Sequence, residues 1–268
     1  MIKYFFIFIF LILTLSLSAD EDFIVIQSTT STRDSGFYDH VLKSYKQENF
    51  TKIKVIAVGT GQAIRNSKKC DGDILLVHHK PSEEKFVSEG YGLYRKEIMY
   101  NDFVLIGPKN DPANIRDLKN VKFAFKKIYK SKSKFISRGD DSGTHKKEIE
   151  IWSQLEKKIK SKNHSWYLET GSGMGSSLNI AVNNLAYILT DRSTWVAFGN
   201  KKNHVILLEN EPLLKNSYGI IPISPKKCPK TKIEESEKFI KWLMSKKGKK
   251  TINSFRVKGQ QLFFANIN

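Results

Sequence analysis

Four times in this 268-residue chain a short apolar run gives way to a turn of hydroxyl residues and glycines, and then to an amphipathic stretch. The unit occurs at residues 23–45, 53–69, 134–155 and 165–179. Apolar runs rich in β-branched residues read as strands, and the stretches with helical spacing read as helices, so the chain is predicted to be α/β with parallel strands. In such sheets ligands collect outside the carboxyl ends of the strands, where the turns lie. A further strand, residues 73–77, is expected to end at His78-His79-Lys80.

The turns have the chemistry of an anion site. In Ser137-Arg138-Gly139-Asp140-Asp141-Ser142-Gly143-Thr144-His145 the segment passes from strand to helix, with the helix expected to run to about Lys160. A helix start leaves four N–H groups unpaired at the positive end of the macrodipole. Ser142 and Thr144 add hydroxyl donors, Gly143 permits close approach, and Arg138 supplies a planar charged fork that Asp140 can hold in place. An ordinary N-cap at Asp141 or Ser142 needs neither that arginine nor a glycine in the first turn. The hydroxyl run Ser28-Thr29-Thr30-Ser31-Thr32 is read as a loop donating neutral hydrogen bonds, chiefly from Thr30 and Ser31. Gly59-Thr60-Gly61-Gln62 is read as a turn ahead of a helix beginning at Ala63, with Thr60 and the N–H groups near Gly61 facing the same point. Gly173 and Gly175, in Gly171-Ser172-Gly173-Met174-Gly175-Ser176-Ser177, are read as supporting residues; the spacing is neither G-x-G-x-x-G nor G-K-[ST], so no nucleotide site is implied.

The pattern R-x-D-x-S-G-T at Arg138–Thr144 resembles the anion-contacting segment of periplasmic phosphate-binding proteins. Together with S-T-T-S-T-R-D-S-G at residues 28–36, G-T-G-Q-A-I at 59–64 and W-Y-L-E-T-G-S-G-M-G at 166–175, it resembles more closely the TupA family, the tungstate-binding components of ABC importers. The resemblance extends over nearly all of the chain beyond residue 19. It implies a type II periplasmic binding protein, with two lobes that are each a mixed sheet flanked by helices and a ligand cleft between them. It also implies a tungstate ligand, no cofactor, no metal site, and an inner-membrane ABC permease as partner; a monomer is expected. Where the phosphate-binding relatives carry an aspartate for a protonated ligand, this chain has His78, which argues against phosphate. His78-His79 itself is read as an ordinary strand end.

Residues 1–19 read as a cleaved secretory signal: Lys3, then an apolar run, then Ser16-Leu17-Ser18-Ala19, which points to a periplasmic location. Their removal lowers the formal net charge from +18 to +17. The basic excess is scattered lysine without a stripe of stacking aromatics, which speaks against nucleic acid. Cys70 and Cys228 are permitted to pair in an oxidising compartment, though spacing does not establish it, and neither forms a metal-ligand pattern with His78-His79. Residues 97–107, closing at Pro108, and residues 216–223 are read as two crossings between lobes. They place one lobe at 20–107 with 217–268 and the other at 108–216. Residues 233–262 are expected to be helical throughout.

Three functions are consistent with this reading: capture of tungstate for a permease, capture of molybdate or phosphate on the same fold, or hydrolysis using Ser142 with His145. The last lacks an orienting group for His145, so no catalytic residue is assigned.

Overall fold

The computed structural model describes residues 23–46, 48–49, 51–155, 159 and 161–266; the expected signal segment lies outside them. In chain order the first elements are β1 (Phe23–Thr29), α1 (Thr30–Asp34), α2 (Phe37–Lys46), β2 (Lys52–Val58), α3 (Thr60–Lys68), β3 (Ile74–Val77) and α4 (Lys80–Ser88). There follow β4 (Lys96–Pro108), α5 (Val121–Ser131), β5 (Phe135–Ser137), α6 (Gly143–Ser153), β6 (Tyr167–Glu169), α7 (Met174–Asn184), β7 (Tyr187–Asp191) and α8 (Arg192–Ala197). The chain closes with β8 (His204–Leu208), β9 (Lys215–Pro222), α9 (Ile233–Met244), α10 (Lys246–Ser254), β10 (Arg256–Val257), β11 (Gln260–Gln261) and β12 (Phe264–Ala265).

One long strand sets the architecture. From Lys96 to Asp102, β4 pairs antiparallel with β9, and from Phe103 to Pro108 it pairs antiparallel with β7 and β8. β9 is antiparallel to β3, and β3, β1 and β2 are mutually parallel, so these three strands run with β4. β5 and β6 are parallel to each other and β5 is parallel to β7, so that set runs against β4. The carboxyl ends of the two sets therefore point at each other near the middle of β4. That is where the α/β rule places a ligand, and here it applies from both sides.

Burial follows the same division. One core packs Ile24, Ile26, Phe37, Tyr45, Ile98, Tyr218, Phe239 and Phe263. Another gathers Phe103, Phe125, Phe135, Trp152, Tyr167 and Tyr187. In α2 the buried positions Phe37, Tyr38, Val41 and Tyr45 fall on one helical face, which is why this stretch folds as a helix against the sheet.

Several boundaries differ from the sequence expectation. The hydroxyl run is not a loop, because Thr30–Asp34 turns immediately into α1. Helix α3 starts at Thr60 rather than Ala63, with Gly59 as its N-cap, so Thr60 and Gly61 sit in a first helical turn. Helix α6 ends at Ser153, short of Lys160. The C-terminal region is broken at Ser245, whose hydroxyl accepts from Gly248 N at 3.2 Å and starts a second helix. A Cβ on Gly248 would lie 2.3 Å from the Trp242 and Leu243 carbonyl oxygens, so the tight helix-to-helix corner requires glycine. After Ser254 the chain is extended, and β12 joins β4.

Cys70 and Cys228, 158 residues apart with Cα atoms at 5.3 Å, form a disulfide that ties the end of α3 to the segment after β9. Closing a loop of this length restricts the unfolded chain, an effect of typically about 2–4 kcal/mol. The double replacement Cys70→Ser, Cys228→Ser is expected to lower unfolding free energy by about that amount in urea titrations; unchanged stability would show the bridge to be inert.

Candidate functional site

The turn after β5 is shaped by two left-handed backbone positions, Gly139 (φ +61) and Asp141 (φ +58). A Cβ at Gly139 would also meet Glu169 Cβ at 2.9 Å, so glycine is doubly required there. Beyond the turn, Ser142 caps α6: its Oγ accepts from His145 N at 3.2 Å, leaving its own O–H free to donate. Asp140 joins the two ends of the turn, with Oδ2 2.5 Å from Arg138 Nη2 and Oδ1 accepting from Ser142 N at 3.2 Å. Arg138 is thereby fixed in place while only 5% exposed.

The start of α3 meets this turn from the other side. Gly61 N–H donates to the Asp141 carbonyl at 3.3 Å, so in this conformation it bridges the two halves instead of facing an open cleft. A Cβ at Gly59 would stand 3.8 Å from Asp140 O and 4.0 Å from Ser142 Cα. Arg65, from α3, reaches Asp141 Oδ2 at 3.3 Å, and Lys146 binds the other oxygen of the same carboxylate. Burial raises the Asp141 pKa, but bonds from Lys146 and then Arg65 outweigh it and hold the carboxyl below its usual range.

Within this contact Thr60 Oγ1, Arg138 Nε and Thr144 Oγ1 are buried and have no hydrogen-bond partner among the described residues. Native structures pair nearly all such groups, and leaving one unsatisfied costs about 1–3 kcal/mol. Ser137 Oγ, next to Arg138, is a fourth such group beside the turn, and others, such as Ser67 Oγ and Ser236 Oγ, lie elsewhere; Thr60, Arg138 and Thr144 come from segments the fold has brought together.

The hydroxyl run sorts itself by use. Ser28 Oγ bonds Tyr38 and the Leu76 carbonyl, and Thr29 Oγ1 and Thr32 Oγ1 bond each other at 2.8 Å. Thr30 and Ser31 remain, and they line a cleft of about 460 Å³ with Gly173, Gly175, Ser176 and Thr194. No atom outside the immediate chain lies within 4 Å of a Cβ built at Gly173 or Gly175, so packing does not demand glycine there; their bareness leaves the start of α7 open to the cleft.

Sequence reasoning read one group as an ordinary strand end. His78, at the carboxyl end of β3, is 6% exposed and packs against Gly143, where a Cβ would lie 2.4 Å from its Cε1. Its Nδ1 is 3.0 Å from Asn216 Oδ1, and its ring lies on Tyr218 with centroids 4.9 Å apart. Burial is the main cause that pulls its pKa down to about 4; nearby Asp191 and the Asn216 bond oppose this, while Arg138 and His79 assist it. No local motif marks such a residue, because its neighbours come from β4, β9 and α6. One turn beyond Thr144, buried Glu148 accepts from Tyr167 Oη at 2.6 Å and Trp152 Nε1 at 3.1 Å. Burial pushes its pKa up to about 8, against the pull of Tyr167, Ser137 and Trp152 beside it, and so disfavours a negative charge beneath the turn.

The geometry suits binding an anion through fixed donors. His145 Nδ1 accepts from Asp141 N at 3.1 Å, and the bond between His145 and Ser142 is a backbone cap, not a nucleophile–base pair. No group of three or more His, Cys, Asp or Glu able to hold a metal ion occurs among the described residues.

Comparison with known proteins adds three relatives. A family model described as a PBP superfamily domain matches residues 17–247. The tungstate-binding protein TupA of Peptoclostridium acidaminophilum is 42% identical over 234 residues, covering 87% of this chain and 81% of that protein. Among solved structures, the tungstate-binding protein TupA from Desulfovibrio alaskensis G20 superposes with a TM-score of 0.80 at 38% identity, covering 91% of this chain and 98% of that one. The tungstate ABC transporter structure from Geobacter sulfurreducens gives 0.79 at 42% identity, covering 88% and 99%.

Gly143→Ala is expected to displace His78 or the turn, an overpacking cost of about 1–3 kcal/mol, and to weaken anion binding roughly 5- to 150-fold with the fold retained. Calorimetric titration beside circular dichroism checks this; wild-type affinity would show that the His78–Gly143 contact does not shape the site.

Proposed function

The chain belongs to the TupA family of tungstate-binding proteins within the PBP superfamily, and we propose that it captures tungstate between its two lobes and delivers it to an ABC permease. The reading treats the protein as a periplasmic monomer without cofactor or catalytic role, exported by the segment 1–19, with lobes at 20–107 plus 217–268 and at 108–216. The observation that carries it is the set of partnerless buried donors, Thr60 Oγ1, Arg138 Nε and Thr144 Oγ1, from two halves of the fold. A tetrahedral dianion offers four acceptor oxygens, so one ligand has acceptors enough for all three and for the Ser142 hydroxyl, while Thr30 and Ser31 stand in the neighbouring cleft.

Bonds to a charged ligand contribute about 1.5–3 kcal/mol each, so a handful supports tight binding after the costs of association and closure. Selection by neutral donors fixed on helix starts favours an ion that carries no proton to donate. Asp140 acts as a positioning residue, since its carboxylate keeps Arg138 oriented.

The test is calorimetric titration of the mature protein with tungstate, then with molybdate, phosphate and sulfate, each repeated after saturation with tungstate. One-to-one tungstate binding that excludes the others is expected. Arg138→Ala removes a buried charged donor and is expected to cost at least about 2 kcal/mol, roughly 30-fold in affinity, without unfolding the chain. Near-normal affinity in a folded Arg138→Ala variant would sink the assigned site, and preference for another anion would overturn the assigned ligand.

A further inference from the structure

The cations around the turn are already committed: Arg138 to Asp140, and Arg65 and Lys146 to Asp141. A dianion entering there meets donors but, among these groups, no uncommitted positive charge. The His78 ring lies against the same turn. Asn216 Nδ2 donates to Asn101 Oδ1 at 2.7 Å, so Asn216 turns its oxygen toward His78, and His78 Nδ1 carries the hydrogen. Nε2 then holds a bare lone pair, has no hydrogen-bond partner among the described residues, and lies 3.0 Å from a Cβ built at Gly143. A lone pair facing an anion oxygen is repulsive; the same nitrogen with a proton is a charged donor.

Resting on the tungstate reading, we propose that His78 Nε2 is a further contact to the bound oxyanion and makes that contact as an imidazolium. Each anion captured then takes one proton onto Nε2 from hydronium or the buffer acid, whose bond to that proton breaks as the Nε2–H bond forms. Every group packed on the ring enters the balance. Buried Asp191, at the end of β7, favours the imidazolium; Arg138 and His79 oppose it; Tyr218 and Phe103 supply the apolar surface that keeps the free ring neutral. The added dianion reverses the balance, because an opposite charge at contact favours the charged form. His78 is thus the dianion's second cationic partner, and Asn216 a positioning residue that fixes its tautomer.

Titrations of the wild-type chain with sodium tungstate at about pH 6.5, 7.5 and 8.5, each in two buffers of different protonation enthalpy, read the proton count directly. Uptake approaching one proton is expected, with affinity falling up to about tenfold for each unit rise in pH between the free and bound pKa values of the group. Nitrogen-15 spectra of the histidine rings identify the site without any substitution: His78 is expected to be neutral in the free protein and doubly protonated with tungstate. His78→Gln should bind more weakly and lose the proton uptake. Binding without uptake, a His78 ring that stays neutral in the complex, or unchanged uptake in His78→Gln would each overturn the inference while leaving the tungstate reading standing. Failure of the wild-type chain to bind tungstate at all would overturn both.

Discussion

Buried donors without protein partners are the constraint on which the rest of this structure turns. Thr60 Oγ1, Arg138 Nε and Thr144 Oγ1 are each withdrawn from water, and each would be expensive if nothing ever answered it. They are held there by contacts that cross between the two halves of the fold, Gly61 N–H to Asp141 O and Arg65 to Asp141. Two sets of strands running in opposite senses along β4 aim their carboxyl ends, and the helix starts that follow them, at one region. Fold and site are therefore one statement: the direction of β4 relative to its partners determines where donors converge.

The sheet carries this geometry because each half has its own aromatic core. Phe37, Tyr45, Phe239 and Phe263 steady one half, and Phe125, Phe135, Trp152 and Tyr167 the other. The two cores come together beside the turn, where Tyr218 of the first and Phe103 of the second both pack on the His78 ring.

Much of this was legible in the sequence because the signals were local. Strand runs, glycines at strand-to-helix turns and the R-x-D-x-S-G-T pattern each fall within a dozen residues, and the family resemblance rested on those same segments. What escaped depended on distance in the chain. Nothing around Ser28–Thr32 reveals that Tyr38 and Leu76 take the Ser28 hydroxyl while Thr29 and Thr32 pair, so the run read as an open loop when it begins a helix. His78 read as a strand end because Gly143, Asn216 and Tyr218, which define its role, lie 65 or more residues away. The helix boundaries at Thr60 and Ser245 moved for a simpler reason: glycine and serine at a helix start cap as readily as they turn.

The central claim is a place, and diffraction at the tungsten absorption edge locates it most directly. Crystals of the mature protein grown with tungstate should show one dominant anomalous peak, with ligand oxygens about 2.7–3.2 Å from Thr60 Oγ1, Arg138 Nε and Thr144 Oγ1. A peak confined to the opening lined by Gly173, Ser176 and Thr194, with those three donors still unpartnered, would contradict the account.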